Sequence, residues 1–197
     1  MARNDRCSRS NGFTRTQPLA KIATAPLSES VSGPAATTID GNPLNNYLTR
    51  EVTFNPDGLL CGANYVTIIG NYAYVCCDAG LAVVGLDDPK HPKLVSLVKE
   101  PYLNKPHAIA GQFRYAYVCD EDGIKVLDIS DLTCPRVVSM IRMPHCHNIY
   151  LARTYAYVAA GPRGLVILDI KVADRPKIDQ VFDAGGCIND AHDVKLG

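Results

Sequence analysis

The sequence predicts an all-β protein built of β-propeller-type blades, each of four antiparallel strands. Three observations carry that expectation. The tetrapeptide YAYV occurs at Tyr72–Val75, Tyr115–Val118 and Tyr155–Val158, spaced by 43 and then 40 residues. A glycine follows in each copy (Gly80, Gly123, Gly164) and opens an apolar run: GLAVVGL, GIKVLDI, GLVILDI. Twelve residues beyond each glycine stands a proline followed by a basic residue: Pro92-Lys93, Pro135-Arg136, Pro176-Lys177. A unit of about forty residues with four short strands is the pattern of a propeller blade. A sandwich of many short strands accounts for the strand spacing but not for residues recurring in register.

The elements follow in chain order. Residues 1–38 are rich in Ser, Thr, Ala, Pro and Arg and show no sustained period, which predicts a disordered or linker tail. Residues 39–197 form the repeat segment, with units at about 64–106, 107–146 and 147–191 and the start of a fourth at 192–197. The first strand of each unit follows a register position occupied by Asn64, His107 and His147, with a β-branched residue two places on: Val66, Ile109, Ile149. The second strand is YAYV. Alternation puts its tyrosines on one face and Ala and Val on the other. The third is the run after the glycine, apolar on both faces, which requires cover on both sides. Tyr155–Val158 and Leu165–Leu168 are therefore expected to be buried. The fourth follows the X-Pro turn: KLVSLV, RVVSMI, KIDQVF. Glycine and proline here are turn chemistry and need no catalytic explanation. The final AHDVKLG matches PHAIAGQ and CHNIYLA, so a fourth unit opens at His192. Three units and a fragment fall short of a closed ring of four to eight blades. The reading therefore expects a segment of a longer protein, or self-association through open blade faces.

The third copy, GLVILDI at Gly164–Ile170 followed by Asp174-Arg175-Pro176, resembles the LVIVD repeat, named for that third strand. The resemblance runs over roughly residues 61–197 and weakens in the first copy, where Gly85 replaces the strand-end carboxylate seen at Asp128 and Asp169. It implies a propeller and, since many such proteins are predicted to be exported in bacteria and archaea, a secreted or cell-surface location if the full gene carries a signal. The biochemical roles in that family are mostly unassigned.

Composition narrows the function classes. Hydrophobic residues make up 47% and charged residues 20%, a globular balance, and the formal net charge is zero, which argues against a nucleic-acid footprint. No run is long and apolar enough for a membrane span, and no apolar stretch follows the basic N-terminus to make a secretory signal there. The eight cysteines contain no C-x-x-C pair, so buried free thiols are favoured over a disulfide framework.

The sharpest chemical candidate is the histidine register. His107, His147 and His192 occupy one repeat position at the start of the inner strands. Rotation about a propeller axis would bring them to one ring, where imidazoles can hold a divalent transition metal. His145 lies two residues from His147, on the same side of an extended strand. A mixed site from Cys146, His147, Cys187 and His192 is a second arrangement. Against these stands the plain reading of a duplicated histidine bonded to a neighbouring blade's backbone. Asp128 and Asp169 read as turn carboxylates, and Asp120-Glu121-Asp122 as an acidic loop without calcium-loop spacing. No catalytic residue and no definite cofactor is assigned. The leading expectation is a non-enzymatic scaffold or binding module that meets a protein or small ligand at the channel mouth or loops. The alternative is a metal-dependent hydrolase or oxidoreductase using the channel-facing histidines.

Overall fold

The computed structural model describes residues 52–195. The expected tail, 1–38, lies outside them. Among the described residues there is a single 3-10 turn, Pro56–Gly58, and all other regular structure is β.

Twelve strands form three sheets in strict chain order. β1 (Tyr65–Ile69), β2 (Tyr72–Cys77), β3 (Gly80–Gly85) and β4 (Lys93–Val98) make the first blade. β5 (Ala108–Gln112), β6 (Tyr115–Asp120), β7 (Gly123–Asp128) and β8 (Arg136–Arg142) make the second. β9 (Asn148–Ala152), β10 (Tyr155–Ala159), β11 (Leu165–Asp169) and β12 (Lys177–Phe182) make the third. Each sheet is an antiparallel meander. The inner strands β1, β5 and β9 stand side by side, so blades stack face to face around a common edge.

The repeated glycines earn their place by backbone approach. Gly80 and Gly123 have φ of 126° and 146°, a region side chains avoid, and a Cβ at either would stand 2.2 Å from a carbonyl oxygen of the fourth strand, Val98 or Ile141. One irregularity was not visible in the sequence. The pairing of third and fourth strands slips by one residue at the same place in every blade, between Val83/Val84, Val126/Leu127 and Ile167/Leu168. The extra residue is Val95, Val138 or Asp179. Such a bulge increases the local twist of the outer strand.

Two cores fill the two joints. Between blades 1 and 2 lie Tyr74, Cys76, Leu81 and Val83 from one side and Ile109, Ala116, Val118, Leu127 and Ile129 from the other. Between blades 2 and 3 lie Tyr117, Cys119, Ile124 and Val126 against Ile149, Ala156, Val158, Val166 and Leu168. The second tyrosine of YAYV also latches each joint. The Tyr74 hydroxyl donates to the Leu132 carbonyl at 2.7 Å, and the Tyr117 hydroxyl to that of Ala173 at 3.0 Å, each acceptor lying in the next blade's outer turn. Burial beside these turns pushes both phenols up to about 12. The alternation of YAYV is thus a joint code: tyrosines reach forward, and Ala and Val of the next copy receive them.

The third blade departs from the expected burial. Ala156, Val158, Val166 and Leu168 are buried, but Tyr157, Leu165 and Ile167 are only half-buried where Tyr117, Ile124 and Val126 are buried, because among the described residues no blade packs on that face; Tyr155 is half-buried just as Tyr72 and Tyr115 are. The third copy is thus apolar on both faces and buried on one, against the burial of both that its sequence leads one to expect.

Candidate functional site

The histidine register sits where backbone geometry repeats most closely. The N–H of Asn64, His107 and His147 donates to the carbonyl of the fifth residue of the neighbouring second strand, Cys76, Cys119 and Ala159, at 3.0, 2.8 and 2.8 Å. These bonds fix the same Cα position in each blade, just before the inner strand begins. The fourth copy is anchored differently. Ala191 pairs with Gly161 by two backbone bonds of 3.0 Å, which lays His192 beside the third blade.

The structure brings the three predicted histidines together. The rings of His107 and His147 are 6.5 Å apart, centroid to centroid, and those of His147 and His192 stack at 4.3 Å with 28° between their planes. His147 is the middle of the row. Its imidazole is held below its ordinary value by burial first, then by His192, His107 and His145, with Asp190 pulling the other way. The outer rings face carboxylates: His107 Nε2 lies 3.5 Å from Glu121 Oε1, and His192 Nε2 lies 2.9 Å from Asp190 Oδ1. His145 is exposed, with a left-handed φ of 65°, beside Gly161; a Cβ on that glycine would come within 3.2 Å of His145 Cβ and 3.4 Å of His147 Nε2. Asn64, at the head of the row, donates Nδ2 to the Pro106 carbonyl at 3.4 Å. That is the backbone-bonding role a register side chain can fill without a ligand.

Sequence comparison now has a frame of blades to fall on. The LVIVD repeat model matches residues 62–100, 109–141 and 145–174, one segment for each blade. The chain belongs to the LVIVD repeat family. No curated protein matches it. Among solved structures, a Saccharomyces cerevisiae complex described as Dbp5 bound to Nup159, Gle1, IP6 and ADP matches with 10% identity and a TM-score of 0.40, over 60% of this chain and 30% of that one. The N-terminal domain of Nup159 matches with the same values. The LVIVD chain thus spans about a third of the length of either.

Whether the LVIVD histidine row suits a metal is a matter of lone pairs. A bound ion lies in the plane of each imidazole, whereas His147 and His192 offer each other their faces. Among the described residues no group of three His, Cys, Asp or Glu side chains is assembled for an ion. The mixed Cys/His set does not form either. Cys146 turns into the second joint, its Sγ donating to the carbonyls of Gly123 at 3.1 Å and Asp120 at 3.4 Å, while Cys187 is exposed. Cys76, Cys77, Cys119 and Cys146 are buried free thiols. Burial and the neighbouring Cys77 push the Cys76 thiol up to about 12, far from a reactive thiolate.

The carboxylates of the repeat are structural. Asp128 accepts from the Ser130 hydroxyl and N–H at 2.6 and 2.8 Å and from Arg114 at 3.1 Å, and these bonds hold it below the usual carboxylate range. Asp169 is lowered in the same way by the Lys171 N–H. The acidic loop is not an open cation site. Asp120 is fully buried and accepts from the backbone N–H of Asn104, Asp122 and Gly123, while Lys125 Nζ sits 3.1 Å from it and 3.0 Å from Asp122. Burial pulls the Lys125 ammonium down, but its hydrogen bonds to Asp122 and Asp120 outweigh that and the net shift is upward. Lys125 Nζ also donates to Tyr102 O, so the cluster fastens residues 99–106, the connection that delivers His107, onto blade 2.

Sequence reasoning missed the residues one place further along the inner strands. Tyr65, Ala108, Asn148 and Asp193 share that register. Asn148 Nδ2 bonds Asp193 Oδ1, and Tyr65 is shifted upward by burial first and then by Asp193. The four-copy alignment held this signal, because Ala108 is the small member of a set that includes a tyrosine.

Proposed function

We propose that this LVIVD chain is a binding module whose ligand engages the axial mouth at His107, His147 and His192. One observation carries the reading: residues from three successive repeats converge there, their rings separated by 6.5 and 4.3 Å. The mouth combines three imidazoles, two of them beside the Glu121 and Asp190 carboxylates, with Tyr65, Asn148 and Asp193, a set of directional donors and acceptors around apolar faces. A non-enzymatic role is favoured because the repeat carboxylates are committed to turns, Arg114 and Lys125, and lowered Asp128 and Asp169 are poor general acids at neutral pH. The metal-dependent reading draws on the same convergence and needs His147 and His192 to turn out of their stack.

A fragment library screened by NMR on the 197-residue chain tests the site. Shifts are expected to gather on the amides of His107, His147, Glu121 and His192. Hits confined to the opposite ends of the inner strands, at Phe113 and Arg153, would remove the proposal. Zinc and copper titration of untagged protein at neutral pH separates the second reading. Stoichiometric uptake that disappears in His147→Ala supports a metal centre; no uptake leaves the binding module alone.

A further inference from the structure

The end of the molecule opposite the histidine row carries a bulky residue where the backbone asks for glycine. Each inner strand turns into the second strand through two residues: Gly70-Asn71, Phe113-Arg114 and Arg153-Thr154. The first of each pair is left-handed, with φ of 61°, 55° and 55°. Glycine adopts that region freely, and a bulky side chain is strained there. Blade 1 keeps the glycine. Blades 2 and 3 replace it with Phe113 and Arg153 and leave both in solvent. Phe113 is 92% exposed, more than any other large hydrophobic side chain among the described residues. Packing within the chain therefore does little to offset its strain. Strain kept at an exposed tip is a signature of a contact made outside the fold.

The charge around these two turns has one sign. Gln112 Nε2 donates to the Arg153 carbonyl at 3.0 Å and ties the turns together. Arg114 is held by Asp128 at 3.1 Å, whereas Arg153 takes part in no ion pair among the described residues. The turns of blades 2 and 3 at this end, residues 113–114, 128–136, 153–154 and 169–177, hold six basic and four acidic side chains. Those at the histidine end, residues 120–123, 142–147, 160–164 and 182–193, hold two basic and six acidic. A chain of zero formal charge is thus polarised along the blade axis, positive where Phe113 projects. Val172, in the outer turn of blade 3 at the same end, is exposed as well.

We propose that the Phe113 end docks on an anionic lipid bilayer, with the ring entering the acyl boundary and Arg153 meeting the lipid phosphates. The occupant is argued from charge and shape. A protein partner is met by anchors set in a packed, desolvated patch. Here one ring stands alone, flanked along the two turns by Gln112, Arg114, Arg153 and Thr154. That arrangement suits a surface that is negative outside and apolar and fluid beneath. One inserted side chain and a weak positive field together give reversible, salt-sensitive attachment. The histidine mouth, at the other end of the inner strands, then points away from the bilayer.

Co-sedimentation of the 197-residue chain with phosphatidylcholine vesicles, with and without phosphatidylglycerol, tests this. Binding is expected only to vesicles that contain the anionic lipid, and should fade with added salt. Phe113→Gly and Arg153→Gly each install the residue that blade 1 already has, so the turn is kept. Phe113→Gly should weaken binding about tenfold, the effect of no longer burying such a ring, and should raise the urea midpoint by releasing the strain. A ring kept for packing would lower that midpoint. Arg153→Gly should weaken binding about fivefold at low salt. Arg163→Gln, the same loss of charge at the other end, should leave it unchanged. No binding to anionic vesicles would overturn the proposal and leave Phe113 to a protein partner. Binding indifferent to Phe113→Gly, or reduced equally by Arg163→Gln and Arg153→Gly, would overturn it as well.

Discussion

Blades 2 and 3 carry nearly the same strand pattern and have different fates. GIKVLD in β7 is buried along five successive residues, while LVILD in β11 alternates between half-buried and buried. The outer strand tells the same story: β8 is exposed on alternate residues and β12 throughout. Composition does not separate them. What separates them is a neighbour on both faces against a neighbour on one. In a stacked repeat, burial belongs to the joint and not to the strand.

The largest expected difference lies in the charged pair that blade 2 has and blade 3 lacks. Asp120 and Lys125 occupy the positions of Ala160 and Val166. Lys125→Val leaves Asp120 buried without its cation and should destabilise the fold by about 3–5 kcal/mol. Adding Asp120→Ala reproduces the blade 3 pair and should recover at least half of that loss. The shortfall would be the three backbone N–H groups that Asp120 accepts. Urea unfolding of the single and double variants measures both quantities. A double variant no better than the single would mean that the carboxylate, more than the pair, holds the connection to His107.

Next comes packing. Leu127→Ala and Leu168→Ala remove fully buried side chains from one joint each and should cost about 2–5 kcal/mol. Ile167→Ala, on the uncovered face, should cost about 1 kcal/mol or less at concentrations where the chain is monomeric. Equal costs for Leu168 and Ile167 would show that something covers blade 3 after all. Smaller again is the latch. Tyr117→Phe should lose about 1 kcal/mol with its hydrogen bond, and Tyr157→Phe almost nothing. The same denaturation series reads both.

What the sequence disclosed follows this logic. Strands, turns and the histidine register were legible because they recur, and a residue repeated at one offset is placed at one site by rotation alone. The bulge was illegible because its extra residue is Val95 or Val138, an ordinary strand former, in two copies and Asp179 in the third, so no residue type marks it. The Lys125–Asp120 pair was illegible because D-E-D reads as surface charge; only the hairpin register sets Lys125 opposite Val118, within reach of the end of β6. Tyr157 and Ile167 were misjudged for a different reason. Their pattern states what the face is built to meet, and the partner is not among the described strands.

The smallest expected effect separates the register position in blade 1 from that in blade 3. Asn64 does not titrate, whereas His147 does, and its folded value lies below its ordinary one because burial and the adjacent His192, His107 and His145 disfavour the charged form. The unfolded chain therefore takes up its proton first as pH falls. The stability His147 contributes is present above about 6.5 and is lost as pH drops through the lowered folded value. Asp122, Asp128 and Asp169 are also lowered, but their contribution fades only below the ordinary carboxylate range, so the two windows do not overlap. His147→Asn places the blade 1 residue in blade 3 and should flatten the decline of the urea midpoint between pH 7 and pH 5. Glu121 and Asp190 face the outer rings from the loop after β6 and from the segment just before the fourth copy, and both are kept in the variant. The change in slope therefore reports the middle ring. An unchanged slope would mean that Glu121 and Asp190 already compensate the whole row, so that the stack of imidazoles is held by its backbone anchors and is indifferent to its charge.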